Sequence, residues 1–306
     1  MLTRTIDHYR EETKETLVSA CRLFGVNRQV YYRRKKSTQK KRDVAESVVA
    51  LVGEVRQQMP RIGTRKLYYL LEDQLKELGV GRDKLFTILG ANHMLIKPVK
   101  SYRKTTDTYH RYHKHKNLIA HITPSKPEQV WASDITYLGQ NGNHRYLALV
   151  TDTYSKKIVG YDVSSNLSAD GAIRALKMGL KQRVYKSNEL IHHSDRGYQY
   201  CCDEYQKILK NRNVKCSMTE SYDPYANAVA ERVNGILKQE FSIDKHCVTL
   251  PHTKELVKDS VHIYNQVRPH HSCYMRTPEQ MHRQAQIIIR TYKKTNRTRA
   301  NLDTVS

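Results

Sequence analysis

Apolar residues in the first hundred positions recur at intervals of three and four, the spacing of a helix with one buried face. Between residues 13 and 35 this spacing occurs twice, separated by a turn at Gly25-Val26-Asn27. Asn27 is a favourable N-cap for the second, short basic helix, which runs from Arg28 to about Arg34. A helix, a glycine-containing turn and a basic helix predict a helix–turn–helix region over residues 1–58, although an ordinary pair of helices with a charged face fits equally well.

Residues 59–96 repeat this arrangement around a turn at Gly79-Val80-Gly81. They predict a second helical module, either another helix–turn–helix or a small packing unit. Residues 97–127 are rich in Lys, Arg, His and Tyr with little apolar period, which predicts a basic linker. We interpret the histidines of this segment as part of a solvated loop and not as metal ligands; they include His110, His113 and His115.

After residue 128 the apolar pattern changes to short runs that are typical of strands. The predicted strands are 130–138, 146–152, 157–163, 190–194 and 214–218, and the predicted helices are 168–182, 203–211 and 226–241. Three strands joined by short turns, followed by alternating helix and strand, predict an α/β domain with a mixed sheet covered by helices. We place this domain at 128–285 and a basic C-terminal tail at 286–306.

The net charge of the chain indicates the class of its binding partner. The chain of 306 residues has 53 Lys and Arg against 30 Asp and Glu, a formal net charge of +23. The excess is concentrated in residues 1–116, with a local net charge of +14, and in the tail. Such an excess favours a polyanionic partner, most commonly nucleic acid, without separating DNA from RNA.

Cysteine spacing and hydropathy argue against a zinc module, a secreted protein and a membrane protein. The six cysteines form no C-x-x-C pair, so a zinc module is not expected. The sequence shows neither a secretory signal nor about 20 consecutive apolar residues. We therefore expect reduced thiols, no membrane contact and a cytoplasmic protein associated with the nucleoid.

Three carboxylates stand out by their positions in the predicted elements. Asp134 lies within an apolar strand, Asp195 lies where a strand opens into a glycine-containing loop, and Glu231 lies on the long helix. Two or three carboxylates in one cleft can hold two hard divalent ions for phosphoryl transfer. Individually, Asp134 could equally pair with a nearby Lys or Arg, and Glu231 could lie on a solvated face.

Other acids and a helix face bear on the same site. Glu231, Asn234, Gly235 and Lys238 share one face of the long helix, and the mid-helix glycine there would let a backbone or phosphate approach closely. Glu240 and Asp152 are rival acids, one at an unsuitable spacing and the other after a buried strand; we expect both to matter less.

At these residues the chain resembles the DDE transposases of bacterial insertion sequence family three (the product of the second open reading frame, OrfB), with a retroviral-integrase-like catalytic core. The resemblance runs from about Met59 to about Arg283. It rests on Trp131-Ala132-Ser133-Asp134-Ile135-Thr136-Tyr137, His193-Ser194-Asp195-Arg196-Gly197-Tyr198-Gln199-Tyr200, Asn227-Ala228, Glu231, Leu237-Lys238, Tyr264-Asn265 and Arg268-Pro269-His270. The 35 residues between Asp195 and Glu231 also match the family spacing.

The resemblance implies a ribonuclease-H-like fold and a DNA transposase. Asp134, Asp195 and Glu231 would be the catalytic metal ligands, holding Mg²⁺ or Mn²⁺ as two ions. The reaction would be hydrolytic nicking of DNA at the element's ends, followed by attack of the freed 3′-hydroxyl on another phosphodiester, without a covalent protein–DNA intermediate. Lys238 would contact DNA near the cleavage site.

The remaining site predictions are less direct. In the helix–turn–helix region, Arg28 and Gln29 would lie near base edges, and Arg33 and Arg34 near phosphates. His193 is either a general base or a residue that orients the loop, and we assign it, with Asn227, to a supporting role around the carboxylates. The chain departs from many relatives at Tyr225, Ala226, Arg232 and Val233, differences that leave the three acids intact.

Two other functions remain open on sequence alone. One is a transposase-derived DNA-binding regulator without catalytic activity. Such a protein would not need the three acids, so their presence argues against it. A nuclease acting on RNA–DNA hybrids would have less need of the basic N-terminal region and tail. The expected partners of the transposase are double-stranded DNA, further copies of the chain and the product of an upstream reading frame.

Overall fold

The computed structural model describes residues 2–97, 112–139, 144–219 and 228–283. The chain forms two compact units: the first comprises residues 1–57 and 63–96, and the second comprises residues 58–62 and 97–306. In the described ranges, no helix is both long enough and apolar enough to cross a membrane.

The first unit is helical. Its helices are α1 (Leu2–Thr13), α2 (Leu17–Leu23), α3 (Arg28–Gln58), α4 (Thr64–Leu70), α5 (Glu72–Glu77) and α6 (Arg82–Ala91). Ile6 of α1 packs with Ala20 and Cys21 of α2 and with Tyr31 of α3 in one buried cluster. Gly25 adopts a left-handed backbone (φ +64°) in the turn between α2 and α3, a conformation that glycine accepts readily.

The predicted short basic helix after this turn is wrong in length, because α3 continues for 31 residues. Residues 32–43 of α3 are all exposed and polar or aromatic, so they carry no apolar period for a sequence pattern to detect. Many of them are Lys, Arg and Gln, residues with good intrinsic helix propensity. In the distal part of α3, Val48 and Val52 are buried. Helix α1 was not predicted.

The second unit contains a five-stranded sheet in the order β3-β2-β1-β4-β5. Its strands are β1 (Val130–Leu138), β2 (Arg145–Asp152), β3 (Ile158–Ser164), β4 (Leu190–Ser194) and β5 (Val214–Met218). β1, β2 and β3 are antiparallel neighbours, whereas β4 is parallel to both β1 and β5. This mixed order is the ribonuclease-H-like fold that the resemblance implies, and the five predicted strands are confirmed to within one residue.

Helices cover both faces of this sheet. They are α7 (Ala169–Lys181), α8 (Tyr198–Cys201), α9 (Asp203–Asn211), α10 (Ala228–Gln239), α11 (Leu250–Gln266) and α12 (Pro278–His282), with 3₁₀ turns at Ile243–Lys245 and His271–Cys273. Trp131 of β1 is fully buried in a core with α7, α8 and α9. Asp134, three residues further along β1, points to the opposite face, where α10 packs on β1 and β2.

Part of the segment expected to be a basic linker lies along the edge of the sheet. The backbone N–H of Leu118 donates to Ser217 Oγ (2.8 Å), and Met218 N–H donates to the Lys116 carbonyl (3.3 Å). These bonds partly cover the free edge of β5, which would otherwise expose unpaired backbone groups. His110 and residues 98–111 lie outside the described residues.

Candidate active site

Strand register places two of the predicted carboxylates side by side. Ala132 of β1 pairs with His193 of the parallel strand β4. Continuing this register by two residues on each strand brings Asp134 beside Asp195, on the same sheet face because side chains alternate with period two. Adjacent strands lie about 4.8 Å apart, so the two carboxylates share one edge of the sheet.

The loop after β4 holds Asp195 in place. One carboxylate oxygen of Asp195, Oδ1, accepts a hydrogen bond from the Gly197 backbone N–H (3.0 Å). A Cβ at Gly197 would lie 3.0 Å from that oxygen, so this tight turn suits a residue without a side chain. The turn leads directly into α8, whose first residue, Tyr198, is exposed.

Helix α10 brings the third carboxylate to this edge. Asn234 is buried, and its Nδ2 donates to Asp134 Oδ2 across 2.7 Å, which ties α10 to β1. Glu231 stands three residues before Asn234, about one turn earlier on the helix, and its side chain is exposed. This hydrogen bond therefore joins β1 and α10 across a separation of 100 residues in the sequence.

Electrostatics confirm that the three carboxylates influence one another. Desolvation is the largest cause that raises the pKa of Asp134, and the negative charges of Asp195 and Glu231 raise it further, to about 7. The Asn234 hydrogen bond and the Ile135 backbone N–H act in the opposite direction on this pKa. The Asp134 side chain keeps some solvent contact, yet dense protein surrounds its carboxylate, so desolvation dominates.

The donor set suits a hard cation. Carboxylate and amide oxygens are the ligands that Mg²⁺ and Mn²⁺ prefer. Besides the three acids, the amide oxygen Oδ1 of Asn234 is buried without a hydrogen-bond partner. Within the described part of the chain, no three His, Cys, Asp or Glu side chains are close enough as placed to share one ion. For all three acids to share the same ions, the exposed side chain of Glu231 would have to turn inward.

Two buried histidines support the strands beneath the site. His193 is fully buried, and its Nδ1 lies 2.9 Å from Ser217 Oγ on β5. His192 points to the opposite face, where its Nε2 lies 2.7 Å from Ser133 Oγ and 2.8 Å from the Tyr205 hydroxyl. Burial lowers the pKa of His192 to about 3, so this ring is neutral at physiological pH. The contact with Ser217 is compatible with an orienting role, and the role of His193 stays a prediction.

The rival acids are engaged in structural contacts. Glu240 forms a bidentate ion pair with the fully buried Arg268, with N–O distances of 2.8 and 2.9 Å. Asp152 accepts hydrogen bonds from the backbone N–H of Glu128 and from Ser155, through both its N–H and its hydroxyl (all 2.7 Å). Both acids hold elements of the second unit together, in keeping with the expectation that they matter less for chemistry.

The predicted DNA-contact residues lie on accessible surfaces. Arg28, Gln29, Arg33 and Arg34 are exposed on the first turns of α3. Lys238 is partly buried on α10, about two turns beyond Glu231. Among the described residues, nothing lies within 4 Å of a Cβ placed at Gly235, so this face of α10 is open there. Asn227, the second supporting residue of the prediction, lies outside the described residues.

Asn234 is the residue that sequence analysis undervalued. Its position on the Glu231 face of α10 was recognised, but no role was assigned to it. The available signal was an uncharged amide three residues after a proposed metal ligand, on a helix whose other buried positions are apolar. Its burial and its contact with Asp134 distinguish it from a solvated surface residue.

Known proteins resemble this chain over the second unit and beyond it. The family model described as "Integrase core domain" matches residues 124–224, and a second model with that description matches residues 212–278. An uncharacterised 31 kDa protein of insertion element IS600 from Shigella sonnei is 33% identical over 226 residues, covering 72% of this chain and 81% of that protein. Transposase InsF for insertion sequence IS3A of Escherichia coli (strain K12) is 36% identical over 157 residues.

The InsF match covers 51% of this chain and 54% of InsF, so the chain spans about half the length of that relative. Among solved structures, the HTLV-2 integrase catalytic core domain in complex with magnesium is 19% identical, with a TM-score of 0.41 and coverage of 51% and 97% of the two chains. A simian T-cell lymphotropic virus intasome chain is 18% identical, with a TM-score of 0.45 and coverage of 78% and 81%.

The integrase core matches span half of the chain, and the IS600 relative is matched over most of its length. Both findings favour an enzyme of DNA integration over a regulator that lacks catalysis. The chain belongs to the IS3-family DDE transposases, which carry an integrase core domain.

Proposed function

We propose that this transposase nicks DNA at the ends of its element and joins the freed 3′-hydroxyl to target DNA, with Asp134, Asp195 and Glu231 as the ligands of two divalent ions. The observation that carries the proposal is the Asn234–Asp134 hydrogen bond, because it fixes α10 over β1. Glu231 is thereby brought to the sheet edge where β1 and β4 place the two aspartates.

The proposed ions are Mg²⁺ or Mn²⁺, which match an all-oxygen donor set. A structure of the HTLV-2 integrase core contains magnesium, which supports the same metal class here. When bound, such ions would activate the attacking oxygen and stabilise the leaving oxygen of a phosphodiester. No covalent attachment of DNA to the protein is proposed.

The chain's own residues prepare this site in distinct ways. Asn234 directs one oxygen of Asp134 toward α10 and leaves the other for an ion, while Gly197 orients Asp195 in the same manner. Glu231 completes the set by rotating its side chain inward from the first turn of α10. His193 and Asn227 are proposed to support this arrangement without touching the reacting atoms.

DNA binding is proposed to extend beyond the catalytic edge. Arg28 and Gln29 would contact base edges, and Arg33 and Arg34 phosphates, because all four are exposed on the first turns of α3 and this part of the chain is proposed to act as a helix–turn–helix. Lys238 would contact DNA near the cleavage site, beside the open space at Gly235. We further propose that joining two element ends requires an oligomer, and that the product of an upstream reading frame assists. The bacterial cytoplasm, with nucleoid association, is the proposed location.

The decisive experiment incubates the purified chain with labelled DNA carrying the element's ends, in Mg²⁺ or Mn²⁺. Asp134→Asn and Glu231→Gln are compared with the matched controls Asp259→Asn and Glu255→Gln, which change exposed acids of α11. We expect metal-dependent nicked and joined products from the wild type and both controls. The two site variants should lose at least 100-fold in product formation, about 2.7 kcal/mol or more of transition-state stabilisation.

Two results would contradict the proposal. Product that persists in both site variants would show that the carboxylates are wrongly assigned. DNA binding without product in either metal, even after the upstream-frame product is added, would show that the chain is a DNA-binding protein without this activity.

A further inference from the structure

A basic groove lies between α7 and α9, away from the carboxylates. Leu180 and Ile208 form its apolar floor, and the cations around it are Lys177, Lys181, Lys186 and Arg212. All four of these cations are exposed, and no acidic side chain is among the described residues that line the groove. A fifth cation of the lining, Arg183, is committed to the buried carboxylate of Glu128 (3.0 Å).

The groove is separate from the catalytic edge. It lies where α7 ends at Lys181 and α9 ends at Asn211, which is the end of the sheet at which β4 begins. Asp195 follows the other end of β4. Five residues of strand span about 16 Å, so a ligand in the groove would not reach the carboxylates directly.

Helix termini explain only part of this charge. A cation in the last turn of a helix stabilises the partial negative charge of its C-terminus. Lys181 lies in the last turn of α7 and Arg212 is the C-cap of α9, so both have that use. Lys177 lies one turn further from the end of α7 and Lys186 lies in the following loop, so neither is required there.

We propose that this groove binds the phosphate backbone of double-stranded DNA, as a contact distinct from the catalytic cleft. Clustered like charges repel one another unless a polyanion neutralises them. Lys177 and Lys181 are four residues apart on α7, about 6 Å along the helix axis, which is comparable to the axial rise of two nucleotides of duplex DNA at about 3.4 Å each. A second copy of this chain is a poor occupant, because its own net charge is +23.

The proposal rests on the proposed function, since it assumes that the chain handles DNA. The test uses the full chain carrying Lys177→Gln, Lys181→Gln and Lys186→Gln together. Its matched control carries Lys126→Gln, Lys245→Gln and Lys254→Gln, which remove three exposed charges elsewhere on the second unit. Binding to a labelled duplex of about 30 base pairs is measured by fluorescence anisotropy between about 50 and 200 mM salt.

Each lost phosphate contact should reduce the slope of log Kd against log salt by about 0.9, so the groove triple should lose up to about 2.7. The control triple should retain most of the wild-type slope. A Lys→Arg triple at the three groove positions keeps the charge and should also retain it. The thermal midpoint, followed by the fluorescence of Trp131, should be the same in the wild type and the groove triple.

Three results would overturn the proposal. Equal slopes in the groove and control triples would show a general charge effect. A lower thermal midpoint with an unchanged slope would show that the cations serve the helix ends. Competition by polyglutamate at the same charge concentration as DNA would show an acidic polypeptide site. End nicking by the wild type is measured separately. The proposed groove contact can therefore be refuted while the transposase activity is confirmed, and the activity can be refuted while the groove contact is confirmed.

Discussion

The raised pKa of Asp134 predicts that Asp134→Asn stabilises the metal-free second unit at neutral and alkaline pH. The folded-state pKa lies above the ordinary value of 3.8, at about 7. A group of this kind contributes stability that is fully present below the unfolded pKa and is lost as pH rises through the folded pKa. Asparagine cannot ionise, so the variant escapes this loss while keeping an acceptor for Asn234.

The magnitude follows from the size of the shift. Each pKa unit corresponds to about 1.36 kcal/mol, so a shift of about three units gives an upper value of about 4 kcal/mol. About two pH units of this range lie between pH 5 and pH 7, so the wild type loses at most about 2.7 kcal/mol of folding stability there. Because Asp134 retains some solvent contact, we expect a difference of about 1–3 kcal/mol. For a unit of this size that corresponds to roughly 3–10 °C in Tm.

The single tryptophan makes the assay specific to the second unit. Trp131 is the only tryptophan of the chain, is fully buried, and lies three residues before Asp134 on β1. Thermal unfolding is followed by its fluorescence at pH 5 and pH 8, with EDTA or with Mg²⁺. We expect the Tm advantage of Asp134→Asn to grow from pH 5 to pH 8 in EDTA, and Mg²⁺ to raise the wild-type Tm alone.

A Tm difference between wild type and Asp134→Asn that stays constant from pH 5 to pH 8 would refute the conclusion that desolvation and repulsion raise the pKa of Asp134. A Tm of the variant that rises equally with Mg²⁺ would show that Asp134 is not a ligand. Asp259→Asn serves as the matched control, because this exposed α11 acid should show neither effect.

Three further changes test the scaffold of the site. Gly160→Ala should destabilise the second unit by about 3 kcal/mol or more in denaturant unfolding, because its Cβ would lie 2.0 Å from the Ala175 carbonyl oxygen; a loss below 1 kcal/mol would contradict the close packing of β3 on α7. Arg268→Met should cost about 3–5 kcal/mol, because the largely buried Glu240 carboxylate loses this bidentate partner. The double change to Met at both positions should recover much of this loss in a double-mutant cycle. Asn234→Leu should lower metal affinity, measured by calorimetry with Mn²⁺, whereas Asn234→Gln should restore part of it; equal affinity in all three proteins would exclude a positioning role.

Much of this architecture could be predicted from local patterns. The five strands and the helices α7, α9 and α10 follow from alternation and helical spacing over short windows, which depend on which side chains are buried on one face. Helices α8, α11 and α12 were not predicted. The candidate carboxylates could be proposed because Asp134 lies within an apolar strand and Asp195 directly follows one, positions where a charge is unusual. The length of α3 could not be predicted, since its exposed middle has no period and only its distal packing at Val48 and Val52 reveals its extent.

Tertiary structure decided what each polar residue contacts. Asn234 and Glu240 are similar polar positions of the α10 region in sequence, yet one bonds to Asp134 and the other to the buried Arg268. The sequence by itself determined the strands of the sheet and the candidate acids, because those depend on neighbours a few residues away. The register that sets Asp134 beside Asp195, and the contact that carries α10 over them, join residues about 60 and 100 positions apart, and only the packed sheet and helix bring such residues together.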